Sequence, residues 1–520
     1  MRTIELHFPI EGINRRMPER PKQRRGSYPC PWAVNVCNED NIERRMRGGS
    51  RVGLTKFVSN DLGSSVGDIV SLNLSSSTGA TEVLFALVDS SIKTVTGGIV
   101  STPVGYLGAD SGSDILTDVS GNQILSSSAS TPSSGFLVTG QQSVLAISSS
   151  SVTKLDAKTG KVDSIIASKG TVPTGCTFGA VYRDRLILAG SDNTIYSSKM
   201  GDYSNWDYGG NVSDASRAIL WQLALASDVG FKPTAMIPNK DSSLIIASRN
   251  TLWVLRGDPS GGQLQRISDN IGIVSSKAWC VADGTIFFLS DCGVYKVGVD
   301  GSGLAMVSES ALPVELKDVN TSTTKVMMEY EKDRKIIHVY LKTSGGNDTH
   351  WNYELQTEAW WVVRLQNNHS PVAVCKHKGE VILAGGDGYV RKVGGINDDG
   401  TAIQSHVLIG AMRLGAVDKA GIVNMLHGVL GTGSGTVTWR LVVGESAEQA
   451  SDNAKLAIEA YQAGGDYSGY VKHTDSWTAG RSLAQYPRVR SLWCCIWLQS
   501  TDRWAFEGAT MQLKLSGRYR

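Results

Sequence analysis

The hydrophobic pattern of this chain is a repeated unit. Three or four large apolar residues run up to a small one, a turn rich in Ser, Gly, Asp or Asn follows, and a second apolar segment carries an aromatic or aliphatic residue. The clearest copies start at Leu186, at Leu244 (LIIASRNTLWVL), at Ile286 (IFFLSDCGVYKV) and at Val381 (VILAGGDGYVRK), with weaker copies at Leu84, Leu145 and Ile336. Apolar runs of this length bury both faces of a strand, and the turn residues supply the backbone angles of a tight reversal. Each unit therefore predicts a β-hairpin.

The seven starting points recur on average about every 50 residues, close to the length of a four-stranded propeller blade. A single hairpin cannot bury its own apolar face, so the units must pack on one another, and radial closure also protects their edges. The pattern predicts a mainly all-β chain built on a β-propeller of about six to eight blades. The alternative is a β-sandwich whose strands merely recur at turn spacing.

The flanks break the repeat. Residues 1–58 predict an extended basic arm, because Pro9, Pro18, Pro21, Pro29 and Pro31 forbid a continuous helix between them. Residues 59–400 hold the propeller, although Ser-rich runs between Ser59 and Thr174 make its first blades degenerate. Residues 401–520 predict a small β-rich domain with strands at Thr436, Val489 and Met511 and one helix. The helix is announced by Ser446 and Gln449, a capping box ahead of an Ala-rich run to Ala463. Adjacent Trp360 and Trp361 on one strand are expected to face opposite sides, one in the inter-blade core and the other at the surface.

Composition adds little except in the arm. The net charge is +2 and 41% of residues are apolar, as in an ordinary globule. The positive charge is concentrated in the arm at Arg15, Arg16, Arg20, Lys22, Arg24 and Arg25, and again at Arg44, Arg45, Arg47 and Arg51. Arg15, Arg16, Arg24, Arg25, Arg44, Arg45 and Arg47 are the candidates for contact with a neighbouring subunit or with DNA; the other reading is an arm that folds along its own domain. No segment is long and apolar enough to span a bilayer, and Met1–Pro9 has no apolar leader core, so synthesis in the cytoplasm is expected. The eight cysteines lack paired spacing and read as buried free thiols.

Catalytic motifs are absent from the sequence. No phosphate loop, H-E-x-x-H pair or G-x-S-x-G elbow occurs, and GTGSGT from Gly431 lies between strands as a turn. The boxes repeated in sialidase-like and quinoprotein-like propellers are missing, apart from one imperfect match at Leu155. Asp192, Asp291 and Asp387 recur near hairpin turns, where a carboxylate usually accepts hydrogen bonds from its own backbone. His338, inside an apolar strand, reads as a satisfied core residue. The expectation is a protein that is not an enzyme and holds no cofactor or metal.

Four stretches carry a resemblance: VNVCNEDNIERRMRGGSRVGL (Val34 to Leu54), GDYSNWDYG (Gly201 to Gly209), RNTLWVLRGDPSGGQLQRISDNIGIVSSKAWC (Arg249 to Cys280) and WAFEGATMQLKLSGRYR (Trp504 to Arg520). They resemble segments of short-tailed phage tail nozzle proteins of the tail tubular protein B type, although that family often has Pro where this chain has Val52. The resemblance implies a virion protein, a ring of six identical subunits at the distal end of a tail. Its partners would be an adaptor ring and tail fibres, and genomic duplex DNA would pass non-specifically through the assembly. Near-neutral total charge suits such a passage, since a strongly basic wall would hold the phosphates. Two other functions stay open: a receptor- or glycan-binding propeller at the tail tip, with Tyr203, Trp206 and Tyr208 as surface aromatics for sugar stacking, and a polysaccharide-degrading propeller enzyme, for which no convergent acid pair stands out.

Overall fold

The computed structural model describes residues 2–15, 27–39, 45–76, 79–89, 91–96, 99–101, 135–158, 160–222, 232–312, 314–346, 348–366, 369–416 and 419–518. Its centre is a ring of antiparallel four-stranded units. Six of these are separate sheets, spanning residues 66–101, 136–164, 178–222, 233–268, 279–306 and 371–393. In a seventh unit, residues 324–363, four consecutive strands pair in the same up-and-down order but continue into a larger sheet. Numbered in chain order, the separate sheets are blades 1 to 5 and blade 7, and the unit at 324–363 is blade 6.

The first strand of each blade lines the axis. Pro371–His377 packs on Val66–Ser76, which packs on Phe136–Gly140, then Phe178–Tyr182, then Pro233–Asn239. On the other side Trp279–Ala282 packs on Thr324–Glu331, which reaches back to Pro371–His377. Blades 4 and 5 meet through a shared apolar core that includes Ala235, Ile237, Ile286 and Phe288. All seven apolar runs recognised in the sequence, from Leu84 to Val381, are the second strands of these blades, whose large side chains face both neighbours. That position explains why they are continuously apolar: Arg185–Ala189 and Ser243–Ser248 are buried at every residue.

The first strand turns into the second through tight reversals. In blades 2 and 3 the two loop residues, Gln141–Gln142 and Arg183–Asp184, all have positive φ. In blades 5 and 7 the loops are Asp283–Gly284 and Lys378–Gly379, again with both φ positive. These are the mirror-image turns that match strand twist. Gly284 and Gly379 adopt them without a Cβ penalty, whereas the non-glycine pairs hide the turn from sequence inspection.

The outer strand of blade 7 comes from the arm. Leu54–Lys56 pairs antiparallel with Val390–Val393, so the two ends of the propeller segment lock the ring together. Earlier in the arm, Ala33–Val34 lies between Ala359–Val363 of blade 6 and Ser405–Arg413 of the C-terminal domain. It thereby joins the four strands of blade 6 to four C-terminal strands in one sheet of nine that ends at Val471–Trp477. A second sheet of seven strands is built around the long pair Lys419–Leu430 and Ala505–Arg518, with Arg2–Leu6 and Gly48–Ser50 added from the arm. The boundaries at residues 58 and 400 therefore do not separate independent bodies: the arm supplies strands to both modules.

This weave changes the expectation for the tryptophan pair. Trp360 and Trp361 are both fully buried, because the outer strand of blade 6 is covered by the arm instead of solvent. Gly12 lies against the backbone of Trp360, and the Phe8 ring lies 5.6 Å from that of Trp361. The helix spans Ala447–Gln462 as expected; Ser446 accepts the Gln449 N–H, and the Gln449 side chain accepts the Glu445 N–H. Among the described residues, no helix is long and apolar enough to cross a membrane.

Candidate functional site at the axial mouth

Of the sequence-chosen arginines, the described ones are not brought together. Arg15 pairs with Glu315 at 2.5 Å and lies over the Trp32 ring, and Arg47 pairs with Glu507 at 3.1 Å on the C-terminal sheet. Arg45 is exposed, while Arg16, Arg24, Arg25 and Arg44 lie outside the described residues. Arg51 is the member of the second cluster with a clear structural role. Its guanidinium holds Asp398 through two contacts of 2.8 and 2.5 Å and also donates to Asn35 Oδ1, with both ion-pair partners buried. This pair clamps the arm to the loop that follows blade 7, and removal of either partner would leave an uncompensated buried charge.

The surface-aromatic expectation is corrected by burial. Trp206 is 1% exposed and Tyr203 5%, and both pack among Leu145, Ile147, Cys176 and Leu188 in the seam between blades 2 and 3. Asn205–Trp206 is held there by parallel pairing with Lys169–Gly170. Tyr208 is half-buried with its ring 6.3 Å from Tyr196. Large aromatic area next to a blade edge is better spent closing that edge than facing water.

Two of the three turn carboxylates, Asp192 and Asp387, support their own backbone, and the third, Asp291, pairs with a side chain. Asp192 accepts the Thr194 N–H, Asp387 accepts the Tyr389 N–H and pairs with Arg391, and Asp291 pairs with Arg249. His338 is satisfied on both sides, by Asn352 and Glu331. Burial pushes the Glu331 carboxyl up, but His338 and Arg334 outweigh it and hold the group down at about 2. All eight cysteines are free; Cys292 is exposed and Cys375 half-buried, contrary to uniform burial, while the other six are buried. Burial pushes the thiols of Cys30, Cys37 and Cys495 up to about 12, so they are inert packing residues. No group of His, Cys, Asp and Glu among the described residues is arranged to hold a metal.

Cavities converge where the first strands begin. One of about 550 Å³ is lined by Ser276, Lys277, Thr321, Thr323, Lys325 and Lys342. A second of about 520 Å³ is lined by Asp68, Phe136, Ser148, Ser149, Lys277 and Lys325. A third of about 400 Å³ adds Thr177, Lys232, Thr234 and Arg249. The three share Ser276, and each is contiguous with the next through common lining residues. Together they form the mouth of the axial channel at one face.

That mouth is bridged by charge. Lys277, in the loop ahead of blade 5, reaches Asp68 on blade 1 with Nζ 3.1 Å from Oδ2. Its ammonium also sits 4.4 Å from the centre of the Phe136 ring on blade 2. The loop is fixed on blade 6, where the Met328 N–H donates to the Lys277 carbonyl and Ser275 Oγ to that of Val326. Asp68 also accepts the Leu137 N–H at 2.8 Å, which ties blade 1 to blade 2. Lys325 donates to the Gly67 carbonyl at 3.1 Å. Lost hydration lowers the Lys325 pKa, Asp68 opposes that shift, and Lys277 reinforces it. Deeper in, burial pushes the Glu329 carboxyl up, against the Tyr330 N–H, Lys376 and Lys277.

None of the mouth residues was singled out in the sequence. Lys277 and Lys325 occur in ordinary S-S-K and T-T-K contexts, and only closure of the ring brings them beside Asp68.

No protein-family model matches the chain, and no curated protein does. Among solved structures, the computationally designed Ika8 protein is 14% identical, covers 65% of this chain and 99% of its own length, and has a TM-score of 0.37. The WD40 β-propeller domain of Doa1 is 12% identical, with 66% and 96% covered and a TM-score of 0.37. BamB from Moraxella catarrhalis is 11% identical, with 65% and 97% covered and a TM-score of 0.35. The protein is a β-propeller, defined by its own strand pairing and the radial packing of its blades.

Proposed function

We propose that this protein is a structural subunit of a short phage tail, a nozzle ring that forms the distal conduit and gate for DNA ejection. The observation that supports this reading most is the weave of the arm. Two of the stretches that resemble nozzle proteins, Val34 to Leu54 and Trp504 to Arg520, meet as paired strands at Gly48–Phe506 and Gly49–Ala505. The first of them also contributes Val34 to the seam between blade 6 and the C-terminal sheet and Leu54 to the closing strand of blade 7. A body fastened in this way transmits load without a hinge between its modules, which suits a wall element of a pressurised tube.

The bridge from Lys277 to Asp68 crosses the propeller's own axis, so in this reading DNA travels along the axis of a ring of subunits and not through any one propeller. Six subunits, an adaptor ring above and fibres beside them complete the assembly. Arg16, Arg24 and Arg25 are the arm residues assigned to neighbouring subunits. Mass photometry of the full chain, alone and with its adaptor, tests this: wild type is expected to form a ring, and the triple Ala variant is expected to stay smaller while melting at the same temperature. Unchanged assembly of the variant removes the arm from the interface, and a wild type that is monomeric with and without the adaptor removes the ring.

The glycan-binding alternative loses its aromatic platform, since Tyr203 and Trp206 are buried.

A further inference from the structure

We infer that the axial mouth is a binding site for a small phosphorylated saccharide. Two ammonium groups, Lys277 and Lys325, line one cavity there together with a carboxylate, Asp68, which pairs with Lys277. The Lys325 ammonium makes its 3.1 Å hydrogen bond to a neutral backbone carbonyl instead of a carboxylate. Lys342, on the wall of the largest of the three cavities, is neutralised by Asp348 at 2.7 Å and adds no free charge. Arg249, at the far edge, is likewise taken by Asp291. Below the mouth, Glu329 faces Lys376 as well as Lys277, and burial favours its neutral form. Among the described residues the site thus carries an excess of positive charge, which an anionic ligand relieves.

The rest of the lining selects the kind of anion. Ser148, Ser149, Thr177, Ser276, Thr321 and Thr323 put hydroxyls around the lysines. Hydroxyls both donate and accept, so they match sugar hydroxyls as well as phosphate oxygens. Cavities of about 520 and 550 Å³ joined at Ser276, Lys277 and Lys325 exceed what a bare phosphate fills and suit one or two sugar rings. A phosphate placed between the two ammonium groups competes with Asp68 for Lys277, while the sugar extends along the hydroxyl-rich wall. This site does not depend on ring assembly.

Isothermal titration of the full chain with glucose 6-phosphate, glucose, inorganic phosphate and a short DNA duplex tests the site. Glucose 6-phosphate is expected to bind at least about tenfold more tightly than inorganic phosphate, with glucose weaker still. Lys325→Gln should lose about ten- to hundredfold in affinity, the usual range for one hydrogen bond to a charged group. Lys325 is outside any ion pair, and the Gln amide keeps a donor for the Gly67 carbonyl, so this variant should melt like wild type. Asp68→Asn, which removes the internal competitor, should bind the sugar phosphate more tightly. Equal binding of phosphate and sugar phosphate, affinity indifferent to Lys325→Gln, or binding of the duplex with none of the sugar phosphate would each overturn the assignment.

Discussion

Glu354 shows how burial at a single residue writes a pH dependence into this fold. Its carboxyl is inaccessible and accepts the Asn38 backbone and side-chain N–H groups and the Thr357 hydroxyl, yet burial outweighs these donors and raises its pKa to about 7. The folded value exceeds the ordinary one of 4.5, so the folded chain holds the proton more tightly between those two values. This contribution to stability is complete below about pH 4.5 and is lost as pH rises through about 7. His350 and His406 act in the opposite sense: burial lowers each to about 3, and stability is lost as pH falls below the ordinary histidine value of 6.5. His350 Nδ1 accepts the Leu341 N–H, which leaves Nε2 to donate to Ser370 and fixes the neutral tautomer. Glu354→Gln removes the alkaline-side loss and keeps the histidine contribution. Thermal melts from pH 5 to 8 should then rise more steeply with pH in the variant, with a difference of up to about 3 kcal/mol across the range. Parallel curves would mean that Glu354 stays ionised in the folded chain.

At the scale of elements, the strand Leu54–Lys56 matters more than its length suggests. It is three residues long, but it completes blade 7, and Leu54 is buried with Val374, Val381 and Leu383. A chain lacking residues 1–56 should lose that closure, the strand between blade 6 and the C-terminal domain, and the Arg51–Asp398 clamp together. It is expected to unfold at least about 10 °C below the full chain, since each lost kcal/mol shifts the melting of a large domain by about 2–4 °C. An unchanged melting temperature in scanning calorimetry would show that the ring closes without the arm. The milder change Ser446→Ala should cost only about 1 kcal/mol, the typical worth of an N-cap.

These elements also mark what the sequence made legible. The second strand of every blade was readable because both its faces are buried, and the helix because Ser446 and Gln449 form its cap. The first strands are harder to see, since turns such as Arg183–Asp184 carry none of the usual glycine. The arm's short strands, Ala33–Val34 and Leu54–Lys56, have no periodicity to detect; they are strands because distant partners pair with them. For the same reason the mouth was invisible: Asp68, Lys277 and Lys325 are far apart in sequence and meet only around the axis. Tyr203 and Trp206 have polar neighbours in sequence, but the seam they fill is made by Leu145 and Leu188 from two other strands and by Cys176 from a loop.

As a whole the molecule is one body whose propeller is closed by a strand of its own arm and bridged at one mouth by an ion pair. In the function proposed above, such a body forms the wall of a conduit, with the passage lying between copies. Electron microscopy of the assembled particle with DNA held in its lumen is the most direct test. The account predicts a ring of propellers around a central channel, with DNA density on the ring axis and the bridge from Lys277 to Asp68 intact in every subunit. Particles that stay single, or DNA density threading the axis of an individual propeller, would contradict it.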